Sequence, residues 1–303
     1  MPFRLAHLSD PHLGPMPPVR PAQLLGKRLT GWLNWQRRGR TMGPATLGAI
    51  VEDVVLHEPD QVIVTGDLTN LALPAEIARA AAWMASLAPP GRLCAIPGNH
   101  DAYVPGAVDS ATSAWSAQMR GERIDGAHYP YLARPRGDIA LIGCSSAEAT
   151  PPFVAAGPFR EDQARRLAAL LRRARDAFRV VLIHHPPYEG AIARRKAMRG
   201  IELFQEAVRE GGAELVLHGH THLPTQASFP GPQGDVPVIG VAAAGQAPGT
   251  HRPAARWNLF EIERADGGWR CTQIERGVGD DGTVRELARR ELRTQANVPE
   301  TTR

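Results

Sequence analysis

The chain alternates short apolar runs with longer stretches of helical periodicity. Residues 3–8, 61–65, 92–96 and 179–183 are compact, largely β-branched or aliphatic runs that predict strands. Residues 45–57 place Leu47, Ile50, Val51, Val54 and Val55 at helical spacing, with Pro59 as a stop. Stretches 74–87, 161–178 and 200–210 read the same way, and a short helix is expected near 109–119. Residues 129–133 and 138–144 predict a hairpin. After His222, the runs 226–229, 236–241, 256–262 and 269–274 follow one another without helices, which predicts an antiparallel part of a second sheet. From Gly279 onward the pattern predicts a charged helix and then a polar tail.

The polar residues that close these strands change the picture. The first strand ends in Ser9-Asp10-Pro11-His12, the second in Gly66-Asp67-Leu68-Thr69-Asn70, and the third in Pro97-Gly98-Asn99-His100-Asp101. The strand at 179–183 runs into His184-His185-Pro186-Pro187, and Val216-Leu217-His218 into Gly219-His220-Thr221-His222. Sheets of α/β proteins carry their sites at the carboxyl ends of strands. In an extended segment residues i and i+2 point the same way, so Asp10 with His12, and His220 with His222, are expected to face a common site. Carboxylate, amide and imidazole groups suit Mn, Fe, Zn or Co. Asp10, His12, Asp67, Asn99, His184, His220 and His222 are too many ligands for one ion and suit two sharing a carboxylate. Such a pair clamps phosphate oxygens in phosphoester hydrolysis.

Two segments interrupt the regular pattern. Residues 13–40 begin with Pro and Gly and then interleave Leu24, Leu25, Leu29, Trp32, Leu33 and Trp35 with basic side chains. On a helix Leu25, Leu29, Trp32 and Leu33 share a face, and Gly26 and Gly31 would each cost it up to ~1 kcal/mol. The readings are an arm packed on its own domain, a patch lying at a lipid headgroup layer, or a platform for a nucleobase. Residues 102–128 read as a cap-like insertion.

Charge sharpens only the first of these. The chain has 303 residues, 35 basic and 31 acidic, for a net charge of +4. No acidic residue lies between Asp10 and Glu52, whereas Arg20, Lys27, Arg28, Arg37, Arg38 and Arg40 do. One local patch therefore outweighs the whole surplus, which argues against a general nucleic-acid coat and for contact with an anionic substrate or membrane. Cys94, Cys144 and Cys271 are odd in number and lie in or beside apolar runs, so they predict core residues in a reducing compartment, the cytosol by default. No secretory segment and no run of ~18 to 20 apolar residues is found, so a soluble, unprocessed protein is expected.

The ordered set D-x-H, G-D, G-N-H-D, H-H-P and G-H-T-H resembles the calcineurin-like metallophosphoesterases, over roughly residues 3 to 276. The resemblance implies an α/β, four-layer αββα sandwich of two mixed β-sheets flanked by helices, with a metal site at strand carboxyl ends. It implies one domain over 1–278, carrying the 13–40 and 102–128 insertions, followed by the 279–303 tail. It implies two divalent ions (Mn, Fe or Zn), with Asp10, His12 and His222 holding one, Asn99, His184 and His220 the other, and Asp67 bridging. A bridging hydroxide would attack in line, His100 would protonate the leaving oxygen or stabilise the transition state, and Asp101 would orient His100. His185 is expected beside the site, not in it, and His7 and His218 inside apolar strands.

Within the family H-H-P-P is most similar to the phosphodiesterases of cyclic nucleotides and glycerophosphodiesters, so the expected substrate is a cyclic nucleotide or small organic phosphodiester. Segment 13–40 is longer than that pattern, which leaves a lipid-linked pyrophosphohydrolase resembling the UDP-diacylglucosamine hydrolases as the main alternative. A nuclease and a non-catalytic scaffold come behind it. Expected partners are the small-molecule substrate, an anionic inner membrane face met peripherally through 13–40, and a second copy in a homodimer. No stable nucleic-acid partner is expected.

Overall fold

The computed structural model describes residues 1–38, 41–265 and 267–292. The N-terminal half builds one sheet and its cover: β1 (Phe3–Leu8), α1 (Lys27–Arg38), α2 (Pro44–Leu56), β2 (Gln61–Val64), α3 (Pro74–Leu87), β3 (Leu93–Ala95) and α4 (Ala107–Ala114). A second series follows: β4 (Tyr131–Arg136), β5 (Ile139–Gly143), β6 (Gly157–Pro158), α5 (Glu161–Arg173), β7 (Phe178–Leu182), β8 (Met198–Arg199), α6 (Ile201–Gly211) and β9 (Leu215–His218). The chain then runs through β10 (Thr225–Gly231), β11 (Gly234–Gly240), β12 (Arg256–Ala265), β13 (Gly268–Val278) and β14 (Val284–Leu292).

The first six-stranded sheet has the order β14-β13-β12-β1-β2-β3, and the second β10-β11-β9-β7-β5-β4. Each is mixed. β1, β2 and β3 are parallel, as are β5, β7, β9 and β11, while the flanking strands are antiparallel. A core cluster runs from α2 and α3 through the first sheet to Leu141, Phe178, Val180, Leu182 and Leu217 of the second. Another fills the space between the second sheet and α5 and α6. The result is helices, sheet, sheet, helices, with parallel strands of both sheets ending on one side. All three cysteines are free and buried, and no described helix is long and apolar enough to cross a membrane.

Several expectations need correction. The runs after His222 do not share one sheet: β10 and β11 extend the second, β12 and β13 the first. The helix expected from Gly279 is, over residues 284–292, the edge strand β14; the remaining tail lies outside the described residues. Val284, Ala288 and Leu292 are its half-buried positions. A spacing of four lies on one face of a helix and equally on one face of a strand, and the open edge of β13 decides between them. Segment 102–128, expected as a cap-like insertion, carries α4. It packs beside α3, burying Trp115 completely with its Nε1–H donated to Ile77 O at 3.0 Å.

Segment 13–40 carries a short 3-10 turn at Pro21–Leu24 and then α1. Its apolar residues do not share one buried face. Leu24 and Trp32 pack against the small cluster around Leu71 and Tyr103, whereas Leu25, Leu29 and Leu33 face out. Gly31 lets the helix approach: a Cβ there would lie 2.2 Å from Tyr103 Oη. Arg40 lies outside the described residues.

Candidate metal centre

The parallel strands of both sheets deliver their last residues to one place. Asp10, His12, Asp67 and His222 bring one ligand atom each within 4.8 Å of one another, and so do Asp67, His184 and His220. Asp67 belongs to both groups. Asn99, the remaining residue of the predicted set, presents Oδ1 3.2 Å from His184 Nε2. All seven residues therefore meet, and six are almost fully buried, with His222 partly so.

The local backbone explains how this happens, and it is not through the pleat of the strands. β1 ends at Leu8 and β9 at His218, so both histidine motifs lie in turns. Asp10, His12, Asp67, His220 and His222 all have positive φ, at 52°, 42°, 55°, 66° and 57°. Non-glycine residues pay for this left-handed conformation, and such strain gathers at functional sites. The turns split the second pair: His222 joins Asp10 and His12, and His220 joins His184. Glycines admit the close approaches. A Cβ on Gly98 would lie 2.2 Å from Asp67 Oδ1, and one on Gly219 1.8 Å from Ser9 Oγ.

Backbone carbonyls fix the imidazoles. His12 Nδ1 meets Thr69 O at 3.2 Å, His184 Nδ1 meets Thr65 O at 2.7 Å, and His220 Nε2 meets Lys196 O at 2.9 Å. Each ring donates there and turns its other nitrogen to the cluster, the arrangement that holds a metal-binding histidine in one tautomer. Acceptors then crowd one another. His12 Nε2 and His222 Nε2 are 3.3 Å apart, and Asp10 Oδ1 is buried with no hydrogen-bond partner although His222 Nε2 lies 3.2 Å away. An orphaned carboxylate oxygen facing imidazole nitrogens fits a divalent cation between them.

Electrostatics say the same. Burial would raise Asp67 and Asp10, yet the surrounding imidazoles hold both well below the usual carboxylate range. Burial would lower His184, but Asp67 with Oδ2 3.4 Å away, helped by Asp10, pushes it up to about 9. His12 is depressed by burial to about 3 and His220 well below its ordinary value, so both stay neutral and able to ligate.

His100 stands beside the cluster. Its Nδ1 meets Asn70 O at 2.7 Å, its backbone N–H donates to Asp67 Oδ1 at 2.7 Å, and its ring stacks on Tyr103 at 5.4 Å with planes 28° apart. Asp101 does not orient it. The Asp101 carboxylate accepts from the backbone N–H groups of Gly98, Leu68 and Thr69 and from Thr69 Oγ1, at 2.9 to 3.3 Å. It ties the Asp67 turn to the Asn99 turn, so it is a positioning residue at one remove. Burial and the charge of Asp67 push it up to about 7. Sequence reading passed over Asn70, which stands three residues after Asp67 in the same turn, and Tyr103, which carried no signal at all.

The neighbouring histidines are occupied elsewhere. His185 bonds Ser146 Oγ at 2.7 Å and Ala155 O at 2.9 Å, so both its nitrogens are used. His7 reaches Thr65 Oγ1, and His218 reaches Gly219 O and Thr225 Oγ1. All three are fully buried. Burial, then a neighbouring imidazole, depresses His7 and His185 to about 3; burial depresses His218 to about 4. A depressed histidine binds fewer protons folded than unfolded, so its contribution to stability is present above about pH 6.5 and is lost as pH falls toward 3 to 4. The melting temperature is therefore expected to fall steadily on acidification from about pH 7 to pH 5, and His185→Gln to flatten that slope. A melting temperature constant across this range, measured by circular dichroism, would contradict the assignment.

Above the cluster lies a cavity of about 550 Å³. Its floor is His12, Asp67, Asn99, His100, His220 and His222; α1 supplies one wall through Lys27, Thr30, Gly31, Asn34 and Trp35. Arg195, Lys196 and Arg252 lie on the other sides, and Asp67 is the single carboxylate among the lining residues.

No curated protein matches the chain. Among solved structures the fold recurs in the purple acid phosphatase PPD1 from yellow lupin (Lupinus luteus) seeds, 14% identical with a TM-score of 0.53, over 93% of this chain and 52% of that one. It recurs also in a Staphylococcus aureus protein described as a 5'-nucleotidase and solved with alpha-ketoglutarate, 12% identical with a TM-score of 0.50, over 99% and 56% of the two chains. This chain spans about half the length of each. The family model of the calcineurin-like phosphoesterases matches residues 3–224, from β1 through the last candidate ligand. By that match over most of its length, and with the sandwich of two mixed sheets around the strand-end cluster, the chain belongs to the calcineurin-like phosphoesterase family.

Proposed function

We propose that this protein hydrolyses phosphodiesters with the help of two divalent ions, held by Asp10, His12 and His222 on one side, by Asn99, His184 and His220 on the other, and by Asp67 between them. The observation that carries the proposal is the pair of ligand groups sharing Asp67 at the floor of a cavity of about 550 Å³. Bound there, the ions supply Lewis acidity, activating water and neutralising phosphate oxygens. A diester brings substituents on two sides of phosphorus, and the cavity extends from the cluster both toward α1 and toward Arg195 and Arg252.

The side chains divide the remaining work. Lys27 donates to Thr150 Oγ1 and Val154 O and lies 4.7 Å over the Tyr103 ring, so its ammonium is held at the cavity wall, where an anionic substrate meets it. His100 donates its Nδ1 proton to Asn70 O. A proton for the leaving oxygen must then sit on Nε2, which requires the imidazolium. As the P–O bond breaks, the Nε2 proton passes to the leaving oxygen and neutral imidazole remains. In this reading the enzyme works in the cytosol, peripherally at the inner membrane face, with Mn, Fe or Zn, on a cyclic nucleotide or small organic phosphodiester.

Metal-stripped protein reloaded with Mn²⁺ should cleave bis(p-nitrophenyl) phosphate faster than p-nitrophenyl phosphate, and Asn99→Ala should remove that activity. Faster cleavage of the monoester would replace the diester reading with a phosphomonoesterase.

A further inference from the structure

The apolar residues that α1 and the turn before it leave facing out are part of a larger surface. Leu25, Leu29 and Leu33 are 77%, 48% and 48% exposed, and Phe153 on the loop beside them is 75% exposed. Leu223, directly after His222, is exposed too. Half of the large exposed apolar side chains among the described residues thus stand on α1, the turn before it and two loops that also supply lining residues, and of these five side chains Phe153 itself lines the cavity. Scattered single leucines need no explanation, but a concentration around one opening does.

A loosely held helix does not account for it. Lys27 binds Thr150 and Val154, on the loop that carries Phe153, and Arg28 donates to Leu71 O at 2.9 Å and Ala72 O at 2.7 Å. With Gly31 seated on Tyr103, α1 is fixed on three sides, and its outward face is a fixed feature of the surface. Phe153 is held at a φ of 66°, a costly conformation for an aromatic residue that buries so little of its ring.

Charge says what such a surface meets. The chain between Asp10 and Glu52 carries no acid, and its Arg20 is exposed. Across the cavity, residues 190–201 hold Arg194, Arg195 and Lys196 and no acid, while Arg199 pairs with Glu148 at 3.0 Å. A second copy of the chain would set this cationic rim against itself. An apolar row set among cations suits the boundary between acyl chains and anionic headgroups.

We propose that the mouth of the cavity is a docking surface for an anionic bilayer, with Leu25, Leu29, Leu33 and Phe153 entering the headgroup boundary and the basic segments meeting anionic lipid. Docked this way, the cavity opens onto the layer where the phosphoester groups of lipids lie. The inference rests on the phosphodiesterase reading only for what happens after docking.

The test uses the full metal-loaded chain and vesicles of phosphatidylcholine with phosphatidylglycerol, compared with phosphatidylcholine alone. Wild type should co-sediment with the anionic vesicles, less so at high salt. The triple variant Leu25→Ser, Leu29→Ser, Leu33→Ser should lose at least about tenfold in partitioning, while cleaving soluble bis(p-nitrophenyl) phosphate at the wild-type rate. Absence of wild-type binding, or equal binding by the variant, overturns the docking surface even where diester cleavage is intact. A leucine-dependent dimer in sedimentation velocity, with no vesicle binding, overturns it in favour of a second copy. Leucine-dependent vesicle binding without diester cleavage upholds the docking surface and sinks the catalytic reading instead.

Discussion

Asp67→Asn is expected to lower phosphodiester hydrolysis by more than about a hundredfold and to leave the protein unable to retain two ions per chain. Loss of a group that merely supports a metal ligand costs about 10- to 100-fold. Asp67 stands in both ligand groups, with Oδ2 3.4 Å from His184 Nε2 and 3.8 Å from His12 Nε2, and its loss must exceed that range. Asparagine keeps the shape and the hydrogen bond from His100 N–H but removes the charge that balances two cations. Metal content after dialysis checks the point: two ions for wild type, one or none for the variant. A variant that kept both ions and most of its rate would show that Asp67 does not bridge.

His100→Gln should act differently, lowering the rate by about 10²- to 10⁴-fold with metal content unchanged. The loss should depend on the leaving group. An alkoxide needs the proton from Nε2, whereas p-nitrophenolate departs readily without one, so alkyl diesters should lose much more than nitrophenyl diesters. Equal losses for both would assign His100 to charge stabilisation and take the proton transfer away from it. Tyr103 offers a second handle. It stacks on His100 at 5.4 Å, and shortening it would release the ring without touching the ligand cluster.

The candidate centre was legible in the chain because its residues are polar groups placed where apolar strands stop. Buried strands such as Val62-Ile63-Val64 and Val180-Val181-Leu182 announce themselves, and whatever follows them is brought to the sheet edge. The reason expected for convergence was nevertheless wrong. Asp10 and His12 meet because both adopt left-handed turns beyond β1, and a pattern of side-chain types carries no record of φ. The role expected for Asp101 failed for a related reason: a carboxylate next to a histidine in sequence can spend its oxygens on the backbone of a loop 32 residues away. Segment 13–40 showed its composition but not its orientation. Helical spacing put Trp32 and the leucines on one face, and only Tyr103 and Leu71, distant in sequence, decide that Trp32 goes in and Leu29 and Leu33 stay out. β14 was misread because a four-residue apolar spacing serves helix and strand alike, and the free edge of β13 is a property of the assembled sheet.

Seven side chains from five strand ends are placed to hold two ions through one shared carboxylate. Anomalous diffraction from crystals of the wild-type protein loaded with Mn²⁺ tests it directly. Two peaks about 3.5 to 4 Å apart are expected, one among Asp10, His12 and His222, the other among Asn99, His184 and His220, with Asp67 between them. A single peak, or two that do not share Asp67, would contradict it.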